Sequence, residues 1–301
     1  MGLGTPARAG GAVLAAGAVG LAYGMAEASA YTVRRVEVPV LEHGQRPLRV
    51  LHVSDIHLMP YQRRKLDFVS RLADLEPHLV VNTGDNISSP DSIALLARAW
   101  DRLLRVPGVF VFGSNDYSLP RFRNPLRYLA GPSGRRVRPP TSLPVGELRA
   151  MLASHGWVDL NEHREVMEVD GRRIEVRGTD DAHLDRDHYP DVAGPADAGI
   201  DLALAVTHAP YLRLLDAMTA DGVDMIFAGH THGGQVCVPG VGALVTNCDL
   251  DTRRVKGLSR HTADGRTAWL HVSGGVGTSP YAPYRVACRP EATLLTLVAR
   301  D

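Results

Sequence analysis

Acidic oxygens and imidazoles recur together in five short segments of this sequence. They are Asp55-Ile56-His57, Gly84-Asp85-Asn86, Gly113-Ser114-Asn115-Asp116, Thr207-His208 and Gly229-His230-Thr231-His232-Gly233-Gly234-Gln235. Hard carboxylate oxygens combined with imidazoles, and no thiolate among them, suit Zn, Mn or Fe better than Ca or an iron–sulfur cluster. In Asp-x-His and His-x-His the two side chains stand at i and i+2. In extended backbone they project to the same side, so two ligands converge without a helix. The glycines at 84, 113, 229, 233 and 234 let the loops turn sharply and let backbone approach a metal or phosphate closely.

Each segment follows an apolar run, and those runs are the elements that must position it. Residues 48–54, 79–82 and 108–112 read as buried strands, with helical periodicity at 65–75 and 91–104 between them. This rhythm predicts right-handed βαβ units and a largely parallel sheet, with ligands outside the carboxyl ends of its strands. Residues 31–40 alternate valines with charged residues as an edge strand would, and 147–155 reads as a helix. Further on, 166–177 reads as a hairpin turning at Asp170-Gly171. Strands at 202–207 and 224–228 flank a helix at 211–220. Strands at 253–258, 268–273 and 292–298, with a turn at Asp264-Gly265, make the second half richer in antiparallel pairing. The expected organisation is an amino-terminal segment at 1–30, an edge strand and linker at 31–47, and one α/β catalytic domain at 48–301.

At 301 residues and 45% hydrophobic, the chain can bury a sizeable core. Lys plus Arg and Asp plus Glu number 33 each, so no global field favours a polyanion and no nucleic-acid partner is expected. Cys237, Cys248 and Cys288 form no CxxC and argue against a disulfide framework or a thiolate zinc site.

Residues 9–26 carry no charge and are dominated by Ala and Gly. As a helix they would span roughly 27 Å, enough for a bilayer core. The expectation is a single anchor in the cell membrane, with the catalytic domain outside the cytoplasm. Ala28-Ser29-Ala30 also fits a cleavage site, which would make the segment a secretory signal peptide.

The order Asp-x-His, Gly-Asp, a Gly-Asn-His-Asp-like element, His, then Gly-His-x-His resembles the motif series of calcineurin-like metallophosphoesterases. The longer Gly-His-Thr-His-Gly-Gly-Gln form and the amino-terminal segment look like the bacterial membrane-associated subgroup, which is similar in turn to enzymes that cleave a lipid-linked nucleotide sugar. The resemblance implies a four-layer α-β-β-α sandwich of two mixed sheets carrying two divalent or trivalent metal ions (Mn, Fe or Zn). Carried over residue by residue, it implies that Asp55, His57 and His232 hold one ion, that His208 and His230 hold the other, and that Asp85 bridges them. It further implies hydrolysis of a phosphate ester or pyrophosphate by metal-activated hydroxide, on a phosphorylated small molecule or a lipid-linked substrate.

The third segment departs from the pattern. Ser114 stands where the family's ligand Asn would be, and Asn115 where its catalytic His would be. Either Ser114 or Asn115 then serves the second ion, with Asn115 and Asp116 left as candidate catalytic groups. The same departure motivates the rival expectation of a phosphate-binding protein that keeps fold and metal but has lost turnover. Two other segments have both a functional and an ordinary reading. Gly178-Thr179-Asp180-Asp181-Ala182-His183 is either an outer carboxylate near the site or a turn with capping carboxylates. Arg121, Arg123, Arg127, Arg135, Arg136 and Arg138 are either an anion-recognising lid or a solvated loop.

Overall fold

The computed structural model of the chain describes residues 5–121 and 142–300. Among the described residues, a helix α1 (Thr5–Glu27) precedes fourteen strands and five further α-helices. The first sheet contains β1 (Thr32–Leu41), β2 (Leu48–Val53), β3 (Leu79–Asn82), β4 (Gly108–Phe110), β5 (Val158–Asp159) and β14 (Glu291–Ala299), in the order β1-β14-β2-β3-β4-β5. The second contains β6 (His163–Val169), β7 (Arg172–Gly178), β8 (Leu202–Val206), β9 (Met225–Ala228), β12 (Gly257–Ala263) and β13 (Arg266–Val272), in the order β12-β13-β9-β8-β7-β6. A small hairpin, β10 (Cys237–Val238) with β11 (Gly242–Ala243), stands apart from both.

Three apolar layers hold these sheets. Helices α2 (Arg63–Ser70), α3 (Ser92–Ala99) and α5 (Val145–Ala153) cover the outer face of the first sheet, burying Val69, Leu96, Trp100 and Leu148 against Leu51 and Phe110. The inner faces of the two sheets meet through Val50, Val81, Leu204, Met225 and Phe227. Helix α6 (Leu212–Ala220) closes the far side with Leu215 and Met218 on Ile226 and Leu270. The result is an α-β-β-α sandwich. Both sheets are mixed, as expected: β2, β3, β4 and β5 run parallel and β14 runs antiparallel to β2.

The second half is richer in antiparallel pairing, as expected: β6 with β7, β12 with β13 and β10 with β11 are antiparallel, flanking a parallel centre of β7, β8, β9 and β13. One expectation needs correction. The amino-terminal segment is indeed a helix, yet no helix among the described residues is long and apolar enough to cross a membrane. Ala and Gly make α1 weakly hydrophobic. Its end is instead fastened to the body of the protein. The Glu27 carboxylate accepts from Cys288 N at 2.6 Å, and Gly24 O accepts from Arg285 N at 2.9 Å. The assignment to the cell membrane through this segment is therefore overturned. The arginine-rich stretch, apart from Arg121, lies outside the described residues.

Candidate metal centre

The carboxyl ends of parallel strands from both sheets meet at one place. Asp55 and His57 follow β2, Asp85 follows β3, and helix α4 (Ser114–Tyr117) follows β4. His208 follows β8, and His230 and His232 follow β9. The β2–β3 ladder continues past the strand ends: Asp55 N donates to Gly84 O and His57 N to Asp85 O, each at 2.9 Å. Cross-sheet contacts then join the two halves. His208 Nδ1 donates to Thr83 O at 2.6 Å, and His230 N donates to Asp55 Oδ2 at 3.0 Å.

The doublets converge, though not through extended backbone. Asp55, His57, Asp85, His230 and His232 all have positive φ, between 46° and 69°. Left-handed conformation costs an L-residue about 1–2 kcal/mol, and short polar side chains tolerate it best. Five such residues in one site mark a strained loop cluster held in shape by the surrounding fold. Close side-chain approach explains two of the glycines. A Cβ on Gly113 would strike Asp85 Oδ1 and the His208 ring, and one on Gly229 would strike Ser54 Oγ and Asp55 Oδ2.

Ligand atoms of Asp55, His57, Asp85 and His232 all lie within 4.8 Å of one another. Asp85 Oδ2 is 3.4 Å from His57 Nε2 and 3.6 Å from His208 Nε2, so this one oxygen faces two groups of imidazoles. On one side His57 Nε2 and His232 Nε2 are 3.2 Å apart, and His232 Nε2 is 3.6 Å from Asp55 Oδ1. On the other, His208 Nε2 and His230 Nδ1 are 3.3 Å apart.

This arrangement fits metal ions. His208 and His232 each place Nδ1 on a backbone carbonyl, Thr83 O and Gly277 O, which leaves Nε2 for a cation. His230 contacts Asn247 O through Nε2 and so presents Nδ1. Burial holds His57 down to about 4 and holds His230 and His232 well below the usual imidazole range, so all three offer lone pairs at neutral pH. Burial alone would lower His208 too, but the Asp85, Asp55 and Asp181 carboxylates outweigh it and raise it to about 9. That field favours positive charge at the junction. Burial pushes Asp85 upward, yet His208, His57 and two hydrogen bonds from Asn115 hold its carboxyl below the usual range.

The third segment braces the site. Asn115 donates from its backbone to Asp85 Oδ1 at 2.7 Å and from its amide to Asp85 Oδ2 at 2.5 Å. Ser114 Oγ lies 3.4 Å from the Asn115 amide, one step farther from Asp85. Asp116 is fully buried. Its carboxylate accepts from Asp85 N and Asn86 N, both at 2.7 Å, and from Gly113 N at 3.1 Å, stitching two loops together.

Several residues that pattern reading left aside also serve the site. Lys65 is buried and donates to Ile56 O at 2.7 Å, and burial lowers it to about 7. Arg285 is fully buried and donates to His232 O, Gly275 O, Gly277 O and Cys288 O, tying the His232 turn to the loop after β13. His52 contacts Thr83 Oγ1 at 3.0 Å, on the residue whose carbonyl holds His208. In 178–183, Asp181 caps a short turn by accepting from His183 N, and burial pushes it up to about 7.

The family model described as calcineurin-like phosphoesterase matches residues 48–234. Among curated proteins, the chain is 27% identical to phosphodiesterase YaeI of Escherichia coli, over 84% of this chain and 83% of that one. It is 27% identical to the uncharacterized protein YpbG of Bacillus subtilis, over 84% and 82%. It is 25% identical to the uncharacterized metallophosphoesterase YkuE of the same organism, over 97% and 93%. The family match spans more than half of the sequence and takes in every strand-end carboxylate and imidazole described above, so the chain belongs to the calcineurin-like phosphoesterases and is a phosphoester hydrolase.

Proposed function

We propose that the site cleaves a phosphate ester or anhydride with two metal ions, of which Mn, Fe and Zn suit the donor set. In this reading Asp55, His57 and His232 hold one ion, His208 and His230 the other, and Asp85 both. The observation that carries it is the position of Asp85 Oδ2 between His57 Nε2 and His208 Nε2. Such ions supply an activated water and neutralise phosphoryl oxygens. The chain's own groups do the positioning. Asn115 holds both Asp85 oxygens through its backbone and amide, and Asp116 fixes the loop that carries Asp85. As substrate we favour a phosphodiester, on the name of the E. coli relative, within a class of phosphorylated small molecules or lipid-linked phosphates.

Asn115 has a consequence for which esters react. An amide donates a hydrogen bond but cannot deliver a proton as an imidazolium does. General acid help is worth about 10²–10⁴-fold, so aryl esters with acidic leaving groups should turn over at least about 10²-fold faster than alkyl esters. A panel of aryl and alkyl mono- and diesters and a lipid-linked diphosphate measures this. Ser114→Asn combined with Asn115→His should raise the alkyl rates selectively. Equal rates for aryl and alkyl esters in the wild type would refute this account of Asn115. Loss of every activity in the double variant would instead make Asn115 a metal ligand in its own right.

A further inference from the structure

The second half of the site is the poorer in carboxylate charge. On the reading above, the first ion has the Asp55 carboxylate to itself and a share of Asp85. The second has only its share of Asp85 together with two imidazoles, His208 and His230. The topology brings one more carboxylate to that side. β7 and β8 are parallel neighbours with Gly178 opposite Val206, so the chain leaving β7 runs beside the chain leaving β8 toward His208. Thr179 N donates to Val206 O at 3.2 Å, and Thr179 Oγ1 lies 3.3 Å from Thr207 Oγ1, which keeps the two exits together. Two residues later the chain turns at Asp181, and the His183 ring packs on the His230 ring with centroids 4.7 Å apart. The 181–183 turn thus covers the His208–His230 pair.

Within that turn Asp181 is fully buried. Its Oδ1 accepts from His183 N at 3.1 Å, which accounts for the capping role. Its Oδ2 is buried with no hydrogen-bond partner. An ionised carboxylate oxygen taken out of water and given no donor is costly, and a nearby cation removes that cost. Capping explains one oxygen. It leaves the other unexplained.

We propose that the Asp181 carboxylate belongs to the binding set of the second ion, with Oδ1 fixing the turn and Oδ2 serving the cation. This rests on the two-ion reading, and the test separates them. Mn²⁺ stoichiometry and affinity are measured by elemental analysis and titration calorimetry on the full chain. The proteins are the wild type, Asp181→Asn, which keeps the capping acceptor, and Asp180→Asn. Asp180 is a control because its carboxylate is taken by Tyr117 Oη, Arg186 Nε and Asp181 N, and an asparagine there keeps Oδ1 as the acceptor for Asp181 N. If Asp181→Asn does not fold, Asp181→Ser retains a capping oxygen and replaces it. The wild type and Asp180→Asn should bind two equivalents. Asp181→Asn should keep the first and weaken the second by about 10–100-fold. Two equivalents of unchanged affinity in Asp181→Asn, or loss of both together as a merely structural role would give, overturns the assignment of Asp181 alone. A wild type that binds a single equivalent removes the two-ion reading and this proposal with it.

Discussion

Replacing Asp85 with asparagine is expected to release both ions and to lower phosphoester hydrolysis by about 10³-fold or more, a barrier increase of roughly 4 kcal/mol. The reason is placement. Asp85 Oδ2 faces His57 Nε2 and His208 Nε2 at once, so neutralising this carboxylate strips charge from both halves of the site. The fold should survive. Asp85 N still donates to Asp116, His57 N still donates to Asp85 O, and an amide occupies the carboxylate's volume. Metal content and steady-state turnover check the first statement, and far-UV circular dichroism the second. An Asp85→Asn protein that retains two ions would show that Asp85 does not bridge.

Arg285 carries the second large effect, and it is one of stability. Its guanidinium is fully buried and donates to four carbonyls: His232 O, Gly275 O, Gly277 O and Cys288 O. Three of these keep a second donor, Gln235 N on His232 O, Glu291 N on Gly275 O and His232 Nδ1 on Gly277 O. What is lost is therefore the charge-assisted bonds themselves, each worth about 1.5–3 kcal/mol, and the cross-link they make, partly offset because the variant no longer buries a guanidinium. Arg285→Met should therefore destabilise the protein by about 3–5 kcal/mol and lower Tm on the order of 10 °C. Arg285→Lys should recover little, since one ammonium cannot reach acceptors spread around a planar fork. A thermal scan decides this, and a Tm within about 2 °C of wild type for Arg285→Met would contradict it.

Much of the site was legible because its chemistry is local in sequence. Asp55, Asp85, His208 and His230 each follow an apolar run, and the sandwich places the ends of those runs side by side. The loop conformation was not legible. Asp55-Ile56-His57 reads naturally as extended, whereas the fold turns both ligands into left-handed backbone and aims them by tertiary contacts such as Ser54 Oγ on Asp55 Oδ2. Arg285 could not be found from pattern at all, because its acceptors at 232, 275 and 277 are brought to it only by folding. Asp181 was visible as part of a polar turn, and only its burial distinguishes one oxygen from an ordinary cap. The amino-terminal helix misled for a simpler reason. Its residues lack charge, yet Ala and Gly are only weakly hydrophobic, and the contact between Glu27 and Cys288 N spans 261 residues of sequence.

Chelation followed by reconstitution tests the central claim most directly. The full chain is stripped with a strong chelator, its metal content is verified, and hydrolysis of an aryl phosphodiester is followed before and after Mn²⁺ or Zn²⁺ is returned. A dependence of phosphoester cleavage on ions at Asp55, His57, Asp85, His208, His230 and His232 predicts no turnover in the stripped protein and recovery as the ions are restored. Full turnover by a verified metal-free sample would contradict it.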